Sequence, residues 1–144
     1  MKRGKIILFT AACLAAQAAA QSPPDLSGRW LVTGVMDQPE GGKPGRGRFD
    51  FTIEQVGVDL TGISTQFTSP FSGAKTNPEE SKYVIAGRLF LAGNHPPLVF
   101  IRRMKPDSDF IALFVGVLSK NGKTVEGHIA NNSSGHGWFH MQKE

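Results

Sequence analysis

Between Phe110 and Gln142 the chain reads FIALFVGVLS, KNGK, TVEGHIA, NNSS and GHGWFHMQ, three β-rich segments separated by two clusters of turn residues. Nothing in this stretch has helical periodicity, and the spacing predicts a meander of antiparallel strands. Asn121-Gly122 is the strongest hairpin signal, because a type I′ turn needs φ > 0 at both central positions and Asn and Gly tolerate it.

The segments upstream follow the same rule. Residues 28–36 (GRWLVTGVM) place Trp30, Val32 and Gly34 on one face by the period of two. Residues 48–55 (RFDFTIEQ) alternate cleanly, with Phe49, Phe51 and Ile53 opposite Asp50, Thr52 and Glu54, the pattern of a half-buried strand with one wet face. Strands are further expected at 58–67, with Val58 and Leu60 inward, at 82–91 and at 98–104. Long loops are expected at 37–47 and 68–81, where glycine and proline remove any period. The expectation is an all-β fold, an eight-stranded antiparallel up-and-down β-barrel, since closure removes the exposed edges of an open meander.

Residues 1–20 stand apart. Lys2, Arg3 and Lys5 precede an apolar run from Ile6 to Ala16, and Ala18-Ala19-Ala20 offers small residues for cleavage. This is the pattern of a signal peptide, too short in its apolar core to span a bilayer. A secreted or periplasmic protein is expected, with residues 21–27 an extended lead-in and 28–144 one barrel domain. Lipid anchoring through Cys13 is disfavoured, because Thr10-Ala11-Ala12 lacks the usual preceding leucine. Three of the 16 Lys and Arg residues fall in this segment, leaving 13 against 12 Asp and Glu. No nucleic-acid partner follows from so balanced a charge, and no transmembrane segment is expected in the remainder. Cys13 is the sole cysteine, so the remainder would hold together by burial alone, without disulfide, thiol catalysis or thiolate-bound metal.

Gly57-Val58-Asp59-Leu60-Thr61-Gly62 matches Gly122-Lys123-Thr124-Val125-Glu126-Gly127 as G-x-x-hydrophobic-x-G. Each copy starts at a hairpin turn and ends at a mid-strand glycine, where a strand can bend or a neighbour's side chain can enter. The opening Asp25-Leu26-Ser27-Gly28-Arg29-Trp30, followed by this meander, resembles the lipocalin-like and avidin-like small secreted barrels, above all their short bacterial members. The resemblance is carried by Gly28-x-Trp30 and implies a barrel with a general small-ligand role. The chain departs from it in lacking a Thr-Asp-Tyr motif and an arginine near the end of the last strand to stack on the first-strand tryptophan. Only Trp30 and Trp138 are present, too few for a biotin pocket of the avidin kind. Small secreted protease-inhibitor barrels also open on a Leu-Ser-Gly-x-Trp-like strand, so a secreted protein partner is the alternative, beside a structural role in the envelope.

In such a barrel the two long loops share one rim, which is expected to be the open mouth, since ligand sites of small barrels sit there. The candidate site is Trp30, Arg48, Phe49, Tyr83, Phe100, Arg102, His136 and Trp138, for a small apolar or amphipathic ligand. Arg102 enters the lumen if Leu98 and Phe100 face inward; the opposite phase, Val99, Ile101 and Arg103, is equally apolar. If Ala130 pairs with Gly135, His136 and His140 share a face and His128 takes the other, so no metal site is expected. No cofactor or catalytic residue is expected either: Asp50, Glu54, Asp59 and Glu126 fall on wet faces, and no Gly-x-Ser-x-Gly or phosphate loop occurs.

Overall fold

Alternation of apolar and polar residues sends every second side chain to one side, and eight such strands closed into a ring bury that side completely. The computed structural model describes residues 22–37, 43–68, 74–77, 81–133 and 135–144. Residues 1–21 with Cys13, residues 38–42 of the first long loop, residues 69–73 and 78–80 of the second with Phe71, and Ser134 lie outside them. The strands are β1 (Gly28–Met36), β2 (Gly45–Val56), β3 (Asp59–Thr68), β4 (Lys82–Phe90), β5 (Leu98–Met104), β6 (Ile111–Leu118), β7 (Thr124–Asn131) and β8 (His136–Lys143). Each pairs antiparallel with the next, and β8 closes on β1, with Val32 opposite Met141 and Gly34 opposite Phe139. The eight-stranded up-and-down barrel read from the sequence is the fold. β2 differs in starting at Gly45, inside the expected loop, because Gly45, Arg46 and Gly47 continue the ladder opposite Met36, Val35 and Gly34.

The core lies in the lumen: Trp30, Val32, Phe49, Phe51, Ile53, Leu60, Ile85, Leu89, Val99, Ile101, Phe114, Val125, Phe139 and Met141 are buried. Four rings pack edge to face or tilted in its middle, with centroids 5.2–5.6 Å apart along Phe139–Phe114, Phe114–Phe51, Phe114–Phe49 and Phe49–Phe51. This geometry suits the ring quadrupoles.

One end is plugged. The lead-in, read as a plain extended segment, folds under the barrel and places Leu26 at zero exposure beside Trp30. Trp30 Nε1–H donates to the Leu26 carbonyl at 2.8 Å, Leu26 N–H donates to Gln55 Oε1 at 2.8 Å, and Lys143 Nζ donates to the Asp25 carbonyl at 2.9 Å. Lys143 also stands 5.8 Å from the Trp30 ring centroid, so a cation from the last strand does lie over the first-strand tryptophan, as lysine rather than arginine.

The two hairpin turns differ from the expectation in detail. Gly122 has φ +69° but Asn121 does not have a positive φ, so the turn is not type I′. Gly122 N–H donates to the Ser119 carbonyl, and Asn121 Oδ1 accepts from Lys123 N–H and Ser119 Oγ–H. The asparagine side chain thus takes main-chain partners that a two-residue turn would leave to the strands, and the loop widens around a turn with Gly122 left-handed. Val56–Asp59 is the tighter one, a two-residue loop with positive φ at Gly57 alone, the pattern of type II′. Gly122→Ala is expected to cost about 1 kcal/mol, the penalty of a Cβ in the left-handed region, read as a lower urea midpoint with unchanged slope.

The internal repeat has a structural counterpart. A Cβ on Gly62 would lie 1.9 Å from the Thr52 carbonyl oxygen, and one on Gly127 2.0 Å from that of Val115. Both second glycines therefore sit where the strand coils hard against its neighbour's backbone.

The outer surface is not uniformly polar. β6 is apolar on both faces, and its outward Ile111, Leu113, Val115 and Val117 are exposed. Leu98 and Phe100 of β5 lie opposite Val117 and Val115. Asp50 keeps its expected outer face but is not wet there: its side chain is 12% exposed, covered by Arg29 at 3.2 Å, and its Oδ1 accepts the Thr65 N–H at 2.8 Å in place of a ladder bond.

Candidate functional site

The end of the barrel opposite Trp30 holds a cavity of about 530 Å³. Inward positions of the strands form its floor and walls: Gly34 and Met36 of β1, Gly47 and Phe49 of β2, Gln66 of β3, Tyr83 of β4, Arg103 of β5, Ala112 of β6, Ile129 and Asn131 of β7. Its edge is made by Lys75, Thr76 and Asn77 between β3 and β4, and by Lys105 and Phe110 between β5 and β6. The first of these segments is tied down by a bridge from Lys75 to Thr68 and by Thr76, whose N–H donates to the Phe67 carbonyl at 3.1 Å and whose hydroxyl donates to that of Gln66. β3 carries one extra residue opposite Arg48/Phe49. A bulge at a barrel rim re-aims the strand end. The cavity thus opens at the rim shared by the two long connections.

Arg103 is the centre of this site and was not among the residues singled out from the sequence. It is 4% exposed. Nε–H donates to Ser64 Oγ and an Nη2–H to Gln66 Oε1, both at 2.9 Å. The guanidinium carbon stands 3.5 Å from the Tyr83 ring centroid and 4.6 Å from that of Phe49. Such stacking on desolvated rings contributes about 2 kcal/mol. Burial pushes its pKa down to about 10, while Tyr83 and Asp50 act in the opposite direction. It therefore carries its charge at neutral pH.

Of the eight residues proposed from sequence, the cavity brings together Phe49 and Tyr83. Trp30 is buried in the plug at the other end, and Arg48 is exposed on the outer face. Phe100 and Arg102 also face outward, because Val99, Ile101 and Arg103 hold the inward phase of β5. Phe100 had looked internal only because the outside of the barrel is apolar there too. His136 and Trp138 face outward, since Ala130 pairs with His136 and not with Gly135. That one-residue slip reverses faces. It leaves Gly135, Gly137, Phe139 and Met141 inward, and puts His128, expected on the opposite face, outside with His136 and His140, opposite Trp138. His140 Nδ1 lies 3.0 Å from Glu126 Oε1, and His136 Nε2 3.5 Å from Asp37 Oδ2. Among the described residues no three His, Cys, Asp or Glu side chains come together as a metal site.

A signal for Arg103 was present. The phase set by Leu60 sends Ser64 and Gln66 inward, and two polar side chains in a lumen need a polar partner. Ala112, directly opposite Arg103, leaves the room a guanidinium takes. A second hollow of about 710 Å³ lies at the plugged end, between Pro24 and the β4–β5 connection with His95. It is a surface depression lined by turn residues and holds no buried charge.

The fold and this cavity define a class: a closed antiparallel barrel of eight strands with one end plugged and the other hollow. No family model and no curated protein matches the chain. Among solved structures a redesigned β-barrel is similar at 14% identity, with a TM-score of 0.49, covering 83% of this chain and 91% of that one. Among the described residues no helix is long and apolar enough to cross a membrane, a statement that does not bear on strands.

Proposed function

We propose that this chain is a secreted or periplasmic barrel, lipocalin-like in plan, that binds a small apolar or amphipathic ligand in the cavity at its long-loop end. The observation that carries this reading is the cavity itself: about 530 Å³ of space, within the range of small-molecule sites, with an apolar floor and one buried arginine. A barrel built only for stability would gain by filling that volume, because unfilled core space costs stability. The leader pattern of residues 1–20 supports export, and the role is binding rather than catalysis.

Native mass spectrometry of the protein taken from its host's envelope tests the reading. A stoichiometric small-molecule adduct is expected; a bare mass under every gentle condition would count against it. Ala112→Leu supplies the matching variant. Ala112 faces the cavity directly opposite Arg103, so the added carbons fill space beside the guanidinium and the fold should lose about 1–3 kcal/mol. Ligand affinity should fall about tenfold or more, the loss of roughly 1.4 kcal/mol of contact, measured by calorimetric titration.

A second reading, a protein-interaction module, is favoured by one observation: the outer apolar face formed by exposed Leu98, Leu113, Val115 and Val117 around half-buried Phe100. Apolar patches on a soluble surface mark interaction sites. Recovery of a protein bound in stoichiometric amount, and of no small molecule, would favour it.

A further inference from the structure

We infer that the ligand of this cavity is an amphiphile bearing one negative charge, a carboxylate in the simplest case, whose head group lies against Arg103 and whose apolar part extends toward the mouth. This inference rests on the ligand-binding reading above and names the chemistry that the site selects.

Three independent features converge on it. First, the partners of Arg103 among the described residues are neutral: Ser64, Gln66 and the faces of Phe49 and Tyr83. Burying a cation without a counter-ion is costly. Asp50 reaches Arg103 only through space. Its oxygens are taken by Arg29 and the Thr65 N–H on the outer face of β2. The charge is thus held in place by aromatic stacking and two hydrogen bonds, and a guanidinium has five N–H groups to donate. Those not given to Ser64 and Gln66 suit the two oxygens of a planar carboxylate.

Second, among the described lining residues the other charges are Lys75 and Lys105, and none is acidic. All three charges have one sign. A concave site with low-dielectric walls focuses such a field and concentrates anions at its mouth. Third, the space between Arg103 and the rim is bordered by Met36, Phe110 and Ile129, which offer an inserted chain or ring apolar contact and little polar competition. A small hydrophilic anion would leave that surface wet. An apolar neutral ligand would leave the guanidinium unanswered.

The test is calorimetric titration of the lipid-stripped protein with decanoate and with 1-decanol at neutral pH, the two differing only in the head group. Decanoate is expected to bind about tenfold tighter or more. Arg103→Met should abolish that preference by weakening decanoate alone. Because Arg103→Met also strands Ser64 and Gln66, at a cost to folding, Gln66→Glu is the second variant. It places a carboxylate on Arg103 within the existing 2.9 Å contact and should weaken decanoate about tenfold while sparing decanol. Lys75→Gln with Lys105→Gln should change decanoate affinity only about threefold and remove most of its salt dependence, since exposed charges are screened and a buried one is not. Equal affinities for the two probes, or a preference that survives Gln66→Glu, would overturn the inference and leave the ligand-binding reading standing. Failure of both probes to bind would overturn both.

Discussion

Replacing Trp30 with alanine is expected to lower the free energy of unfolding by about 4 kcal/mol, the usual range for truncating a large buried aromatic side chain. The ring has zero exposure and seals the end of the barrel away from the cavity. Phe51 lies across from it on β2 and Lys143 across on β8. Truncation opens a void that its neighbours cannot fill, since strands paired on both sides hold them apart. It also deprives the buried Leu26 carbonyl of the indole N–H that donates to it at 2.8 Å, a loss of about 1 kcal/mol or more within the total. The lead-in keeps its bonds to Gln55 and Lys143, so the variant should remain folded and its urea curve measurable by far-ultraviolet circular dichroism. Trp138→Ala is the internal control. That ring is 49% exposed on the outer face, and its loss should cost less than about 1 kcal/mol, as for surface positions generally. Equal costs for the two tryptophans would mean that the plug does not carry the stability assigned to it here.

Gly127→Ala is expected to cost about 3 kcal/mol, at the upper end for forcing extra volume into a packed interior. The added methyl would lie 2.0 Å from the Val115 carbonyl oxygen and 2.4 Å from the Gly116 Cα. Both are backbone atoms of β6, so the clash cannot be relieved by turning a side chain. β6 and β7 would have to part along a ladder that runs from Ala112–Asn131 to Leu118–Val125. Gly34→Ala gives the contrast. Its methyl would meet only the edge of Phe49 at 3.4 Å, ordinary van der Waals contact, and the cost should stay within about 0.5 kcal/mol, as for substitutions that touch none of the damaging mechanisms. Paired thermal melts of the two variants measure the difference. Similar melting points would show that strand coiling at Gly127 relaxes more readily than its geometry implies.

The predictions place stability and the candidate site at opposite ends of one lumen. Trp30 with Leu26 closes one end, and the four-ring cluster from Phe49 to Phe139 packs the middle. Above that packing the inward residues turn polar or small: Ser64, Gln66, Arg103 and Ala112. Ser64 and Gln66 hold Arg103, and Ala112 leaves it space. Truncations at the plug should therefore alter stability without altering ligand preference, whereas Gln66→Glu should alter the preference.

Strand number, order and the face shown by β1 and β2 were legible in the residues alone. Trp30-x-Val32 and Phe49-x-Phe51-x-Ile53 alternate against polar neighbours, and turn residues cut the chain at lengths that permit only neighbouring antiparallel pairs. Even the glycine repeat from Gly57 and Gly122 pointed to real positions, because a turn followed by strand coiling needs the missing Cβ at both places. What the tertiary structure alone decided was phase where both faces are apolar. In β5 the residues at Leu98, Phe100 and Arg102 and those at Val99, Ile101 and Arg103 satisfy alternation equally well. The choice was made by β4 and β6, whose register sets Arg103 opposite Ile85 and Ala112. In β8 it was made by the register that pairs Ala130 with His136 and carries all three histidines of that region outside. Local pattern determines which residues share a face; only ring closure determines which face is the inside, and the candidate site depends on that second fact.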